Sequence, residues 1–159
     1  MASGYIAGLS FGQRQIRMAE LLRPGRTLFA MPLLARISGR VDVDALRAAL
    51  DAVVRRHDGL RASFPLVDGT PVQAVADDRC FPLPVVQSEL PCASEAFEAR
   101  VLARAQAMVD EPFDLSAGPL VRFCLLTAAD AGAALVAVCH HIVCDGASLN
   151  LCLRDLTAA

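Results

Sequence analysis

The stretch Ala133-Ala134-Leu135-Val136-Ala137-Val138-Cys139-His140-His141-Ile142-Val143-Cys144-Asp145-Gly146 decides how this chain is read. Its first seven residues form a short apolar run, which predicts a buried strand over Ala134–His140. Two of the chain's 3 histidines follow directly. Asp145-Gly146 then opens an amphipathic stretch from Ala147 to Leu156, a predicted helix with Asp145 at its N-cap. Strand, two imidazoles, tight loop and helix start can place one ring at the mouth of a cleft while the other turns inward. Side chains alternate along a strand, so His140 and His141 are expected on opposite faces.

That parity suggests roles. An ordinary imidazole titrates near pH ~6.5 and can give or take a proton close to neutrality. His141 is the candidate for proton transfer in an acyl transfer, with a hydrogen-bonded loop histidine as the alternative. His140 reads as a packed residue that fixes the loop. A metal site is disfavoured, because adjacent strand residues diverge and no third ligand lies at a usual spacing. Asp145 is either a plain N-cap or the partner of an arginine that holds the loop in shape. Arg56 and Arg61, which bracket His57, are the candidates for that arginine. A carboxylate so paired positions rather than carries protons, because pairing lowers its pKa. Arg55 and Arg56 read equally well as a solvated helix end. Gly146 allows close backbone approach or a positive φ.

Working outward, Ser10-Phe11-Gly12-Gln13 fits a capping box, with a helix to about Leu22 and a stop at Pro24-Gly25. Alternation from Phe29 to Ile37 predicts a strand, and Pro32 favours an edge or a bulge. Asp42 caps a second helix with Val43, Leu46, Leu50, Val53 and Val54 on one face, ending at His57-Asp58-Gly59. A strand from Leu60 to Val67, a turn at Asp68-Gly69 and a return from Val72 to Ala76 read as a hairpin. Cys80 to Val86 is a weak strand. Ser94 caps a third helix, which Pro112-Phe113-Asp114 breaks. Leu120–Ala128 and Ala134–His140 form a second hairpin about Asp130-Ala131-Gly132. The pattern is α+β with a mixed, mainly antiparallel sheet.

Composition narrows the function classes. The chain has 159 residues, 55 % of them apolar, enough for one domain with a real core. No apolar run approaches the ~18 residues of a membrane helix. The net charge of −2 gives no electrostatic case for nucleic acid or an anionic membrane as partner. All 15 basic residues are arginine, which removes Schiff-base and phosphate-binding lysine chemistry. Of the 6 cysteines, Cys124, Cys139, Cys144 and Cys152 sit inside apolar segments, and no Cys-x-x-Cys spacing occurs. Free thiols in a reducing compartment are expected. The opening Met1-Ala2-Ser3-Gly4-Tyr5 lacks the basic and apolar regions of a secretory signal, so the expected location is cytoplasmic.

Taken together, these segments resemble a known family. His140-His141-Ile142-Val143-Cys144-Asp145-Gly146 matches the HHxxxDG motif of nonribosomal peptide synthetase condensation domains. Arg56-His57-Asp58-Gly59-Leu60-Arg61-Ala62-Ser63-Phe64 is similar to their RHExLRTxF segment, with Asp58 and Ala62 as departures. Ser10-Phe11-Gly12-Gln13-Arg14 resembles the opening S-x-x-Q-x-R segment, although Arg17 replaces the usual aromatic or leucine nearby. Pro112-Phe113-Asp114-Leu115 and Gly118-Pro119-Leu120-Val121-Arg122 match the PFDL…GPLxR stretch.

The resemblance covers essentially residues 1–159 and implies the N-terminal lobe of a chloramphenicol-acetyltransferase-like fold, with the C-terminal lobe absent. It implies an acyltransferase that forms a peptide bond between a donor acyl or peptidyl thioester and an acceptor aminoacyl thioester. Both would be carried on phosphopantetheine arms of carrier proteins, which serve as substrates, with no cofactor bound directly. By motif match, His141, His140, Asp145 and Gly146 belong to the catalytic set. Arg61 matches the arginine that pairs with the motif aspartate, and Arg56 supports the same region. Little activity is expected of the lobe alone. A free-standing coenzyme A-dependent acyltransferase and a non-catalytic docking lobe remain as alternatives. Cutting a two-lobed domain should also leave an exposed apolar face.

Overall fold

The computed structural model describes residues 4–23, 25, 27–77 and 81–158. In chain order the elements are β1 (Gly4–Gly8), α1 (Phe11–Leu22), β2 (Ala30–Ser38), α2 (Val43–Arg56), β3 (Ala62–Ser63), β4 (Leu66–Val67), β5 (Thr70–Ala76), β6 (Val85–Gln87), α3 (Glu95–Asp110), β7 (Val121–Thr127), β8 (Gly132–His140) and α4 (Gly146–Ala158). A 3-10 turn over Asp58–Arg61 joins α2 to β3. The class is α+β, as expected.

The larger sheet runs β2-β8-β7-β6, antiparallel except for the parallel β6–β7 pair. Residue parity divides its two faces. Odd-numbered Val121, Phe123, Leu125, Leu135, Ala137 and Cys139 pack against Leu50, Val53 and Val54 of α2 and Leu149 of α4. Even-numbered Cys124, Leu126, Ala134, Val136 and Val138 pack against Phe97, Val101, Ala105 and Met108 of α3. Every residue of β8 is therefore buried, and this explains its unbroken apolar sequence. Pro32 lies on edge strand β2, where a missing N–H is tolerated.

The smaller sheet pairs β5 with β1, β3 and β4, all antiparallel. The predicted strand from Leu60 to Val67 is broken here into the 3-10 turn, β3 and β4. Arg61 folds back on α2, and Pro65 interrupts the ladder between β3 and β4. Asp68 and Gly69, at φ 49° and 75°, form the expected tight turn. β1 is an addition to the expected elements: its outward residues Tyr5 and Ile6 give it no core signal. The weak strand predicted over Cys80–Val86 is confined to Val85–Gln87 among the described residues, since Pro82 and Pro84 cannot donate to a ladder. Pro24 and Cys80, which figured in the predicted helix stop and strand, lie outside the described residues. Among the described residues no helix is long and apolar enough to cross a membrane.

Candidate active site

β8 delivers the two histidines to different environments. The His140 N–H bonds to the Leu120 carbonyl at 2.9 Å, and the His141 N–H bonds to the Phe29 carbonyl at 2.8 Å. The chain then turns through His141–Val143 and enters α4. His140 is 3 % exposed, whereas His141 is exposed. The inferred division between an inward and an outward ring therefore holds.

His140 is fully engaged. Its Nδ1 accepts the Ile142 N–H at 3.1 Å, so the ring proton resides on Nε2, which donates to Glu20 Oε1 at 3.3 Å. Phe113 stands edge-on to the ring at 5.8 Å between centroids. Burial lowers the His140 pKa from its ordinary value, outweighing the opposing effect of Glu20. His140 thus ties α1 to the motif loop as a neutral residue and does not face the groove.

His141 is held at one nitrogen only. Its Nδ1 lies 2.8 Å from the Cys144 carbonyl oxygen. A carbonyl only accepts, so Nδ1 carries the proton in neutral imidazole and Nε2 keeps a free lone pair. The ring lines an open groove of about 300 Å³. One wall is the start of α1, through Ser10, Gly12, Gln13 and Ile16; the other is the motif loop and Ser148. The capping box that starts α1 also shapes this wall, since Ser10 and Gln13 bond each other's backbone. Gln13 Nε2 then donates to Gln73 Oε1 at 3.0 Å, fixing the wall to β5.

Asp145 adopts the plain N-cap reading. Its Oδ1 accepts from Ser148 N at 2.8 Å and from Ser148 Oγ at 2.6 Å. The Ser148 hydroxyl, followed by the Ser148 backbone N–H, pulls the Asp145 pKa below the usual carboxylate value. The expected ion pair between Asp145 and Arg61 is not formed. All five Arg61 N–H donors are taken: by the carbonyls of Val54, Arg55, Ala76 and Asp77, and by the Asp58 carboxylate. Asp58, one of the departures from the family segment, is the residue that captures it. Arg56 does not reach Asp145 either; its Nε pairs with Asp155 of α4 at 3.2 Å. Gly146 has no positive φ, and a Cβ there would meet no atom within 4 Å. The backbone is thus open to solvent at that point rather than strained.

Beneath the loop, the Cys144 thiol, followed by burial, raises the Cys139 pKa, while the Cys139 thiol lowers that of Cys144 against the opposing effect of burial. The contacts of Glu20 and Arg17 and the His57–Asp155 pair were not visible in the sequence. Gln13, Arg17 and Glu20 recur at helical spacing, which marks a polar stripe on α1. Its inward direction shows only in the fold, where Arg17 donates to the Phe64 carbonyl at 2.6 Å.

Residues 5–159 match the family model for the condensation domain. Phosphinothricin tripeptide synthetase PhsC of Streptomyces viridochromogenes is 40 % identical over 151 residues, covering 94 % of this chain and 14 % of that protein. Cyclosporin synthetase simA of Tolypocladium inflatum is 37 % identical over 147 residues, covering 92 % of this chain and 1 % of that protein. The starter condensation domain of the rhizomide synthetase RzmA superposes with a TM-score of 0.85 at 26 % identity, over 96 % of this chain and 36 % of that one. This chain therefore spans a small part of its relatives and about a third of a solved condensation domain. With the double-histidine loop at the mouth of its groove, the chain belongs to the condensation domain family.

Proposed function

We propose that the chain is the N-terminal lobe of a nonribosomal peptide synthetase condensation domain, and that His141 is its proton-transfer residue. One observation carries the reading: Nδ1 is pinned to the Cys144 carbonyl while Nε2 is left free on a ring that lines an open groove. In the reaction, the amine of an aminoacyl acceptor attacks the carbonyl carbon of an acyl or peptidyl thioester. The C–N bond forms, the C–S bond breaks, and the amine proton passes to His141 Nε2 and on to the departing thiolate. Asp145 caps α4 and His140 anchors the loop, so both act by position. Carrier proteins with phosphopantetheine arms would present both substrates.

Holding two tethered substrates together can lower the barrier by at most about 7–11 kcal/mol, and one positioned base adds roughly 10²–10⁴-fold. The first contribution needs both walls of a tunnel, and this lobe supplies one. Free thiols at Cys92, Cys124, Cys139, Cys144 and Cys152 suit a reducing, cytoplasmic setting. The test is dipeptide formation between two loaded carrier proteins, with the second lobe supplied in trans. His141→Ala should reduce turnover by about 10²–10⁴-fold, and the lobe alone should give little product. Full turnover by the His141→Ala variant, or robust turnover by the lone lobe, overturns the proposal.

A further inference from the structure

His57 takes no part in the groove, yet it makes one of the longest-range polar contacts in the molecule. Its Nε2 lies 2.7 Å from Asp155 Oδ2, across a sequence separation of 98 residues. Both side chains are largely buried, with 21 % and 19 % exposed, and Arg56 Nε joins the same carboxylate oxygen at 3.2 Å. Asp155 lies in the last turns of α4, about 13 Å along the helix from Gly146. Two residues after His57, the same corner touches the other end of this unit. A Cβ added to Gly59 would lie 3.0 Å from the Val143 carbonyl oxygen, in the turn that carries His141.

The corner itself is rigid. The His57 N–H bonds to the Val53 carbonyl, and the Leu60 N–H bonds to the His57 carbonyl. Arg61 spends its five donors on the end of α2, the turn and the end of β5. The family segment around His57 and Arg61 therefore bears on the motif loop by a different route from an arginine–aspartate pair. We propose that the corner His57–Gly59 is a bracket that grips α4 and its preceding loop at both ends. His57 and Gly59 are positioning residues that set the height of Cys144 and so keep His141 Nδ1 on its carbonyl. The inference rests on His141 as the proton-transfer residue, and its test separates the two.

The readout is the protonation pattern of the His141 ring, observed by long-range ¹H–¹⁵N NMR of the histidine-labelled 159-residue chain at neutral pH. The parent should show the Nδ1–H form. His57→Ala should shift His141 toward the Nε2–H form usual for an unconstrained imidazole, and His57→Gln, which keeps a neutral donor for Asp155, should restore the parent pattern. Gly59→Ala, which presses on Val143 from the other end, should shift it in the same direction as His57→Ala. With the second lobe present, the shifted variants should lose kcat by up to about 10²-fold at unchanged KM. An unchanged ring pattern in both His57→Ala and Gly59→Ala overturns the bracket. A shifted pattern with undiminished kcat upholds the bracket and overturns the role of His141.

Discussion

Helices α1 and α2 are both amphipathic, yet they face opposite ways. α2 turns Leu50, Val53 and Val54 into the core and leaves its charges in water. α1 buries no residue fully. Its inward contacts are largely polar: Gln13 to Gln73, Arg17 to the Phe64 carbonyl and Glu20 to His140. Its apolar residues Phe11, Met18, Leu21 and Leu22 point outward, at 58–74 % exposed. An apolar stripe identifies the dry face of a helix, but not whether that face lies within the same lobe. On α1 that face is open to solvent.

Substitutions should separate these two helices, the largest effect first. Leu50→Ala on α2 should cost about 2–5 kcal/mol in urea unfolding, because it empties volume in the larger core. Glu20→Ala on α1 should cost about 1–3 kcal/mol, since it strands the buried Nε2–H of His140. A cost as large for Leu22→Ala as for Leu50→Ala would break the comparison.

The same contact gives a pH dependence. The unfolded chain protonates His140 near pH ~6.5, whereas burial holds the folded value lower. Below that pH the unfolded state binds more protons, so stability should fall as pH drops from about 6.5 through the folded value. The charged and titratable groups facing His140 are Glu20 and His141. Comparing Tm against pH for the parent and His140→Asn should show a flatter acid limb in the variant. The smallest effect on folding is expected from Leu22→Glu, within about 0.5 kcal/mol. That change should nonetheless reduce self-association, which light scattering at high concentration would reveal.

The helices were legible because their signals are local. Ser10, Asp42 and Ser94 cap α1, α2 and α3 where their side-chain chemistry predicts. β8 was legible because an unbroken apolar run suits a strand covered on both faces. The position of His141 followed from strand parity and from its place at a strand end. The partners of Arg61 did not. A guanidinium accepts any well-placed oxygen, and four of its five acceptors are backbone carbonyls, which look alike in every sequence. Of the small sheet, the hairpin about Asp68-Gly69 was legible from its turn, and β1 was not, because it has no buried face to produce alternation.

His141 is fastened twice, by its backbone N–H to Phe29 and by its ring to Cys144. The conformational freedom of that imidazole is thus surrendered once, when the polypeptide folds. In the proposed role, an arriving amine would not wait for His141 to find its rotamer, and no share of substrate affinity would be diverted to ordering it.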